Sequence, residues 1–435
     1  MTDTLTTSGA AGTEVPSVAA LFRVFLKIGL LSFGGPAAQI ALMHRILVDE
    51  QKLLTERQYL NALSFCMLLP GPEAMQLATY AGWRLHGVTG GLIGGLLFVL
   101  PGAAVVLGLS AVYALLGNVP AVEALFLGVK SAVLIVVIEA LLRVSKRALR
   151  GQPDWVVAGL AFVGIFFLAL PFPLIIVAAA LWGWFSRGRA ANAEIEPVRV
   201  NGSARGTAGT VMLWLALWWL PVLAVDQLSG APILSQLGLF FSKLAVVTFG
   251  GAYAVLAYMA QDVVGVHGWL GAGEMIDGLG LAETTPGPLI LVTQFVGFLA
   301  AYKADGLGLG IAGAAVTLWV TFAPCFLWIF AGAPYIDWIA AQPRLSGALS
   351  AITAAVVGVI LNLSLWFGLH VLFAGVERKV AGPLVLWGPD LATLDWRVAM
   401  LALLSAVLLL RLHWNIIWVL GVAAALGWPA VMLLP

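Results

Sequence analysis

The chain contains two copies of one apolar unit, and this duplication limits its fold more than any other feature. Phe33-Gly34-Gly35 recurs as Phe249-Gly250-Gly251, and Pro70-Gly71-Pro72 recurs as Pro286-Gly287-Pro288. Both recurrences have the same offset of 216 residues, so the segment between the two motifs matches without a gap. Glycine and proline both break helices. Helix breakers at matching positions of a repeated apolar unit are typical of membrane transporters.

The composition supports a chain embedded in a membrane. Of its 435 residues, 61% are hydrophobic and 10% are charged, whereas a soluble domain carries about 25% charged residues. Uncharged windows such as Trp155–Trp184 exceed the length of about 20 apolar residues that crosses a bilayer. These windows are continuous, which argues against the alternating strands of a transmembrane barrel. We therefore predict an all-α polytopic membrane protein with two homologous repeats and with broken or re-entrant helices at the two motifs. We expect the repeats to be inverted, the commoner arrangement in transporters that bind at broken helices.

The duplication divides the chain into five segments. Residues 1–17 are small and polar and are expected to form a disordered tail. The first repeat is 18–186 and the second is 232–435, with a basic linker at 187–209 and an additional helix at 210–231. The second repeat also gains 7 residues near Lys303–Gly310 and 18 near Phe373–Pro389. Basic residues cluster at 143–150 and 187–205, so the positive-inside rule places both clusters in the cytoplasm.

The helix breaks are the candidate anion-binding elements. Two prolines around a glycine end one helix and start another, and a helix N-terminus carries free N–H groups and a partial positive charge. Four such termini directed into one cavity would bind a doubly charged oxyanion with few basic side chains. The alternative is that the breaks only kink helices for packing. The candidate substrate-binding residues are Gly34, Gly35, Pro36, Gly71, Pro72, Gln76, Gly250, Gly251, Thr284, Thr285, Gly287, Pro288, Lys27 and Lys243.

Charged residues near the breaks carry the remaining hypotheses. Lys27 and Lys243 occupy equivalent positions, each six residues before its Phe-Gly-Gly. An ammonium group inside a membrane span is costly and usually functional, although each lysine could instead reach the membrane surface. Glu73 and Glu283 flank the two Pro-Gly-Pro motifs, and Glu139 lies in an otherwise apolar stretch. A carboxylate in a wet membrane cavity can carry protons, so these three are the candidates for proton coupling. The alternative is that each one caps a helix or pairs with a lysine.

Other functional classes leave few signals in the sequence. Two cysteines, Cys66 and Cys325, make no disulfide framework, and the five histidines have no metal-ligand spacing. There is no basic tract for nucleic acid and no nucleotide-binding glycine motif. We therefore expect no cofactor, no metal, no nucleic acid and no enzymatic activity; a membrane-embedded oxyanion reductase is the alternative from another class. The expected partners are a dianion, the lipid bilayer and protons, and a homodimer is left open.

Three runs of residues resemble the chromate ion transporter family in its long, two-domain form. They are Phe33–Pro36, Leu69–Tyr80 and Ala282–Phe298, of which the last is the most specific. The resemblance covers nearly the whole chain beyond its N-terminal tail. It implies a secondary transporter of the bacterial inner membrane that exports chromate, a sulfate-like dianion, from the cytoplasm. A carrier for uptake of sulfate or another oxyanion is the alternative on the same scaffold.

Overall fold

The computed structural model describes residues 16–116, 119–187, 203–249, 252–340 and 342–433. The predicted tail lies outside these ranges up to residue 15, as does most of the predicted linker, at 188–202. Sixteen α-helices form the described part: α1 Val18–Leu31, α2 Gly35–His44, α3 Glu56–Cys66, α4 Glu73–Leu116, α5 Pro120–Ala148, α6 Gln152–Phe166, α7 Phe172–Arg187, α8 Ala204–Ser229, α9 Pro232–Val247, α10 Ala252–Gln261, α11 Ala272–Thr284, α12 Val292–Gly332, α13 Ile336–Ala340, α14 Pro343–Leu372, α15 Trp396–Ala406 and α16 Ile416–Leu433. The additional helix, α8, begins six residues before the predicted 210.

Two long helical elements fold back on themselves. In α4 the turn is at His86–Gly87, where Gly87 has φ +58°, and in α12 it is at Asp305–Gly306, where Gly306 has φ +70°. The arms of α4 pack so closely that a Cβ on Gly82 would lie 2.0 Å from the carbonyl oxygen of Gly90. The seven-residue insertion of the second repeat straddles the turn of α12. Each element therefore consists of a short arm, which follows a Pro-Gly-Pro break, and a long arm after the turn.

The described residues contain five segments that are long and apolar enough to cross a membrane, judged by length and composition. They are Glu73–Leu116, Glu123–Ala148, Ala204–Val225, Leu289–Tyr335 and Pro343–Leu372. The outward-facing side chains of the apolar helices are themselves apolar, as at Leu160, Leu213 and Trp418, which are 67%, 57% and 70% exposed. Large contiguous apolar surface of this kind suits lipid rather than water. The chain is an all-α polytopic membrane protein, as the sequence predicts.

A two-stranded antiparallel hairpin is the one sheet in the described part of the chain. Its strands are β1 Val376–Ala381 and β2 Leu384–Pro389. Gly382, with φ +61°, opens the two-residue turn between them, where a left-handed residue matches the twist of the strands. The hairpin occupies the 18-residue insertion near Phe373–Pro389. Its exposed Glu, Arg and Lys side chains place it outside the apolar layer.

The long helices of the two repeats pack in a reciprocal and antiparallel way. On α5 and α14, Leu134 lies 3.6 Å from the Cβ position of Gly368, while Ala148 and Val357 belong, with Ala158, to one small buried cluster. Residue numbers thus rise along α5 as they fall along α14, so these two helices run antiparallel. The repeats also exchange partners, because α16 packs on α5 and α7 packs on α14. A Cβ on Gly128 would lie 2.8 Å from Ala424, and one on Gly183 would lie 2.7 Å from Ala351. The two contacts are equivalent, because Gly128 corresponds to Ala351 and Gly183 corresponds to Ala424.

Candidate anion-transport site

Each Pro-Gly-Pro break is hydrogen-bonded to the other repeat. The amide of Gly71 donates to the carbonyl oxygen of Thr248 at 2.7 Å, and the amide of Gly287 donates to that of Ser32, also at 2.7 Å. Ser32 and Thr248 are corresponding residues that directly precede the two Phe-Gly-Gly motifs. The four breaks are therefore joined in two crossed pairs, and each pair contains one motif from each repeat.

The backbone at both breaks has a conformation that favours glycine. Gly71 has φ +119° and Gly287 has φ +93°, in the region that side chains with a Cβ rarely adopt. A Cβ on Gly71 would lie 3.0 Å from Cys325 Sγ, and one on Gly287 would lie 3.3 Å from Gly102 Cα. Gly102 and Cys325 are again corresponding residues. Each break thus packs against the long arm of the other repeat.

Helices begin directly after two of the predicted breaks. Gly34 has φ +83° and precedes α2, which has Pro36 in its first turn, and α4 begins at Glu73 immediately after Pro72. A helix N-terminus therefore follows each motif of the first repeat. Gly250 and Gly251 lie outside the described residues, and α10 begins just after them, at Ala252.

The break at Pro286-Gly287-Pro288 differs from its counterpart in the first repeat, Pro70-Gly71-Pro72. After Pro288 the chain makes a 3-10 turn over Leu289–Leu291, and α12 begins at Val292. The first repeat has Glu73 at the corresponding position, whereas the second has Leu289, and no side chain caps this end. The N-terminus of α12 is therefore shifted by one turn from the predicted position at Pro288.

Three buried glutamines hold the carbonyl groups around the breaks. Gln39 Nε2 donates to the carbonyl of Gly287 at 2.7 Å, Gln76 Nε2 donates to that of Pro70 at 2.7 Å, and Gln294 Nε2 donates to that of Ala103 at 3.1 Å. The Oε1 atom of each glutamine is buried and has no hydrogen-bond partner among the described residues. Such groups are costly in a dry interior, so water or a ligand group is expected beside them.

The predicted threonines use their hydroxyl protons within their own helix. Thr284 Oγ1 donates to the carbonyl of Leu281 at 2.8 Å, and Thr285 Oγ1 donates to that of Ala282 at 3.2 Å. An anion needs donors, so these hydroxyl groups would have to rotate before they could bind one. The side-chain amide of Gln76 is also already hydrogen-bonded, since its Nε2 donates to the carbonyl of Pro70.

A buried carboxylate joins the two crossed pairs. Glu283 is 4% exposed, and its Oε1 accepts a hydrogen bond of 2.9 Å from Tyr253 Oη, while its Oε2 has no partner among the described residues. Tyr253 Oη also lies 3.9 Å from the Cβ position of Gly35, in the first Phe-Gly-Gly. The charged groups that act on Glu283 through space are Glu139 and Arg143 of α5. This cluster combines residues from both repeats.

A large cavity opens beside this cluster, and we call it the basic vestibule. Its volume is about 1260 Å³, and Phe33 and Gly34 line it together with the end of α5 and the connection between α15 and α16. Its charged lining residues are Arg45, Glu139, Arg143, Lys146 and Arg147. Four of these five are basic, and Glu139 is paired with Arg143. The vestibule therefore has a positive field that ends at a helix break.

A smaller cavity occupies the corresponding position in the second repeat, and we call it the hairpin pocket. It measures about 500 Å³ and is lined by the α6–α7 connection, by Gln261 and His370, and by Arg378 and Trp387 of the β-hairpin. The hairpin is fixed over it by a hydrogen bond of 2.7 Å from the amide of Val385 to the carbonyl of Phe167. Gln261 corresponds to Arg45, and His370 corresponds to Arg147. The two cavities are thus counterparts, one wide and basic and the other narrow and covered.

The remaining predicted residues lie outside the basic vestibule. The side chain of Lys27 is 54% exposed and lies 3.3 Å from Glu50 Oε2. Lys243 lines the hairpin pocket, with its Nζ 5.3 Å from the ring centroid of Tyr258. Glu73 is in the first turn of α4, at the other Pro-Gly-Pro break. The structure therefore brings Gly34, Gly35, Glu139 and Glu283 together, and it does not bring the two lysines or Glu73 to them.

Two functional candidates were missed by a search for duplicated residues. Tyr253 corresponds to Ala37, and Arg45 corresponds to Gln261, so neither residue is repeated. Arg45 and Glu139 both line the vestibule, and Arg45 Nε lies 3.5 Å from Glu50 Oε1, whereas the counterpart of Arg45, Gln261, donates from Nε2 to Asn362 Oδ1 at 3.2 Å. Positions where one repeat has a polar or charged residue and the other does not keep it were the signal that could have identified Tyr253 and Arg45.

Comparison with known sequences assigns the family. The family described as Chromate transporter matches residues 19–184 and again 235–428. The chain is 34% identical to a chromate transport protein of Pseudomonas aeruginosa, over 78% of each chain, and 29% identical to one of Cupriavidus metallidurans, over 78% of this chain and 80% of the relative. An uncharacterized transporter of Bacillus subtilis is 26% identical over 93% of its own length but 38% of this chain. No solved structure matches. Since one family description matches twice and covers most of the sequence, the chain belongs to the chromate transporter family, in its long form with two matching regions.

Proposed function

We propose that this protein is a secondary transporter that exports chromate across the bacterial inner membrane. The observation that carries the proposal is the basic vestibule, which has four cationic side chains and ends at the break at Gly34. A cleft lined by one sign of charge concentrates ions of the opposite sign. The names of the relatives identify chromate as the dianion to test first.

The side on which the vestibule opens supports the proposed direction of transport. Three of its four basic residues, Arg143, Lys146 and Arg147, belong to the cluster at 143–150, which the positive-inside rule assigns to the cytoplasm. A dianion in the cytoplasm therefore meets the wide, positive cavity, while the opposite cavity is narrow and covered by the hairpin. Exit of a dianion is also favoured by a negative interior, at about 2.3 kcal/mol per charge for each 100 mV.

Glu283 is the proposed coupling residue. When ionised, its carboxylate competes with an arriving anion for the positive field of Arg143, and when protonated it does not. Its free Oε2 atom can take up the proton without loss of the hydrogen bond from Tyr253 to Oε1. Proton exchange would then add a second driving force to the membrane potential.

Tracer flux in vesicles of opposite orientation tests this function. Inside-out vesicles that contain the protein should accumulate labelled chromate when their lumen is positive, as the periplasmic side is in the cell, and right-side-out vesicles with the corresponding negative lumen should not. The double variant Arg143→Gln with Arg147→Gln removes two vestibule charges. It should weaken chromate entry more at low than at high ionic strength, because salt screens the field of these charges. Accumulation in right-side-out vesicles alone would identify an uptake carrier, and sulfate competition in the same assay separates the two dianions.

A further inference from the structure

A third cavity lies away from both the basic vestibule and the hairpin pocket, and we call it the charged pocket. It has a volume of about 540 Å³ and is lined by the end of α4, the start of α5, α11, the turn region of α12 and Arg397 of α15. Its titratable and charged residues are Tyr113, Glu123, Lys130, Glu274, Asp277, Tyr302, Lys303 and Arg397. The proposed chromate pathway uses none of them.

Asp277 is the central group of this pocket. Its Oδ2 accepts a hydrogen bond of 2.9 Å from Tyr113 Oη, while its Oδ1 is buried and has no partner among the described residues. Lys130 faces it from α5. Lys303 and Glu274 are paired with each other at the rim, and Glu123 is exposed. None of these three residues supplies a hydrogen bond to Asp277 Oδ1. A carboxylate that has an unpartnered buried oxygen inside an apolar helix bundle is a candidate functional site.

The charged pocket and the basic vestibule lie towards opposite ends of α5. Glu123 and Lys130 of α5 line the first, whereas Glu139 and Arg143 line the second. Lys130 and Glu139 are separated by a rise of about 13 Å, and the 29 residues of α5 span about 43 Å, enough to cross the hydrocarbon layer. The charged pocket therefore opens towards the face opposite the vestibule.

Helix α11 connects these two levels. It runs beside α5, since the Cβ position of Gly280 lies 2.7 Å from Val129. Asp277 is at the level of the charged pocket, and Glu283 is about 9 Å further along the same helix, on the side of Glu139 and Arg143, whose charges act on it. In the opposite repeats, the residues that correspond to Tyr113, Lys130 and Asp277 are Ile336, Thr353 and Asn61, so this arrangement occurs once among these corresponding positions.

We propose that Asp277 is a proton-binding site that loads from the face of the membrane opposite the basic vestibule. The proton binds at Oδ1, Tyr113 continues to donate to Oδ2, and Lys130 then lacks its anionic neighbour and presents a net positive charge to the interior. This inference rests on the proposed proton coupling through Glu283, for which it supplies the entry point of the proton. Proton binding at Asp277 and coupling to chromate flux can be measured separately.

The first experiment detects the proton itself. The full-length protein in proteoliposomes is treated with dicyclohexylcarbodiimide, which modifies protonated carboxyl groups in apolar surroundings, and the modified residue is located by mass spectrometry. Modification of Asp277 should increase when the pH is lowered on the side of the charged pocket and should not respond to the vestibule side. Labelling that follows the vestibule-side pH, or no labelling of Asp277 at any pH, overturns the proposal.

The second experiment connects the site to transport. Asp277→Asn should lose the component of chromate flux driven by a pH gradient and keep tracer exchange at equal pH, and Asp277→Glu should retain both with a changed pH profile. Glu123→Gln, which removes a carboxylate from the same pocket, should behave as wild type. If Asp277→Asn keeps a wild-type response to the pH gradient, the proposed role is wrong. If wild-type flux ignores the pH gradient while Asp277 is still labelled from its own side, proton coupling fails and the binding site stands.

Discussion

Glu283 and Tyr253 form a polar pair where the first repeat has Met67 and Ala37. A transporter built from two similar halves can bind its substrate between them, but a titratable group is needed only once. The pair lies where Gly35 approaches the second repeat, so a single carboxylate reaches both crossed pairs of breaks. At the scale of single residues, the proposed coupling group therefore lies where the two repeats differ.

Replacement of Glu283 tests its proposed role in proton coupling. Glu283→Gln keeps the shape of the side chain and an acceptor for Tyr253 but cannot take up a proton. We expect chromate flux in proteoliposomes to lose its dependence on an imposed pH gradient, while tracer exchange of chromate is retained. Glu73→Gln, at the other break, is the matched control and should keep the dependence. A wild-type flux that responds to voltage but not to a pH gradient would show that these carboxylates are structural.

The duplicated lysines are tested by Lys27→Gln and Lys243→Gln. Both should raise the apparent KM for chromate, because each removes a positive charge and keeps a donor. Since the Lys27 side chain is exposed and ion-paired, we expect an effect of at most about fivefold, which corresponds to about 1 kcal/mol for an exposed pair. Lys379→Gln on the hairpin, also exposed, is the control. Normal transport by both variants across substrate concentrations would identify the lysines as surface anchors.

The sequence predicts some of these residues and misses others for a physical reason. Gly34, Gly71 and Gly287 could be identified because the left-handed backbone needs glycine at each break. Tyr253 could not, because a single tyrosine in an apolar helix looks like core until its hydroxyl group is seen 2.9 Å from Glu283. The proposed roles of Lys27 and Lys243 depended on their spacing alone, which does not show that Lys27 faces Glu50.

At the scale of elements, the two Pro-Gly-Pro breaks connect the repeats, and we call these two contact sites the joints. Gly71 and Gly287 each donate an amide to the other repeat, and each packs against the other repeat's long arm. A kink that served only local packing would not need this reciprocal contact. The glutamines Gln39 and Gln76 further fix the carbonyl groups at these joints.

Alanine substitutions test the joints. Gly71→Ala and Gly287→Ala place a Cβ on a backbone with positive φ, which costs about 1–3 kcal/mol, so both should lower the thermal unfolding midpoint in detergent. Gly108→Ala is the matched control, because its Cβ would meet open space on the long arm of α4. We expect it to leave the midpoint unchanged or to raise it. Equal midpoints for all three variants would contradict the strained geometry at the breaks.

Helix breaks could be predicted from sequence, whereas the direction of the chain after each break could not. The turn at His86–Gly87 contains one glycine in a long apolar stretch, and such a glycine is tolerated within a helix. What folds α4 back is the close packing of Gly82 on Gly90, a contact between residues with no local signal. The β-hairpin was missed because its strands are short and lie in an insertion that has no counterpart in the first repeat.

At the scale of the whole molecule, the basic vestibule and the hairpin pocket are counterparts in unlike states. Leu410 lines the first and Ala169 lines the second, and these residues correspond between the repeats. The first cavity is about 1260 Å³ and the second about 500 Å³. If the repeats exchange conformations, the wide cavity narrows as the covered one opens, which gives alternating access to the breaks between them.

Cysteine accessibility measures this exchange. The native cysteines are replaced first, as Cys66→Ala and Cys325→Ala, because their counterparts are Ala282 and Gly102 and small side chains fit there. Leu410→Cys and Ala169→Cys are then introduced one at a time and labelled with a membrane-impermeant maleimide on each side. Conditions that favour the opposite state should slow labelling at Leu410 and speed it at Ala169 by the same factor. A tenfold fall at Leu410 together with a tenfold rise at Ala169 would change the ratio of the two states about a hundredfold, which corresponds to a shift of about 2.8 kcal/mol. A fixed pore instead predicts that neither rate changes, and a general loosening predicts that both rise, so the sign at the two positions decides whether the repeats exchange.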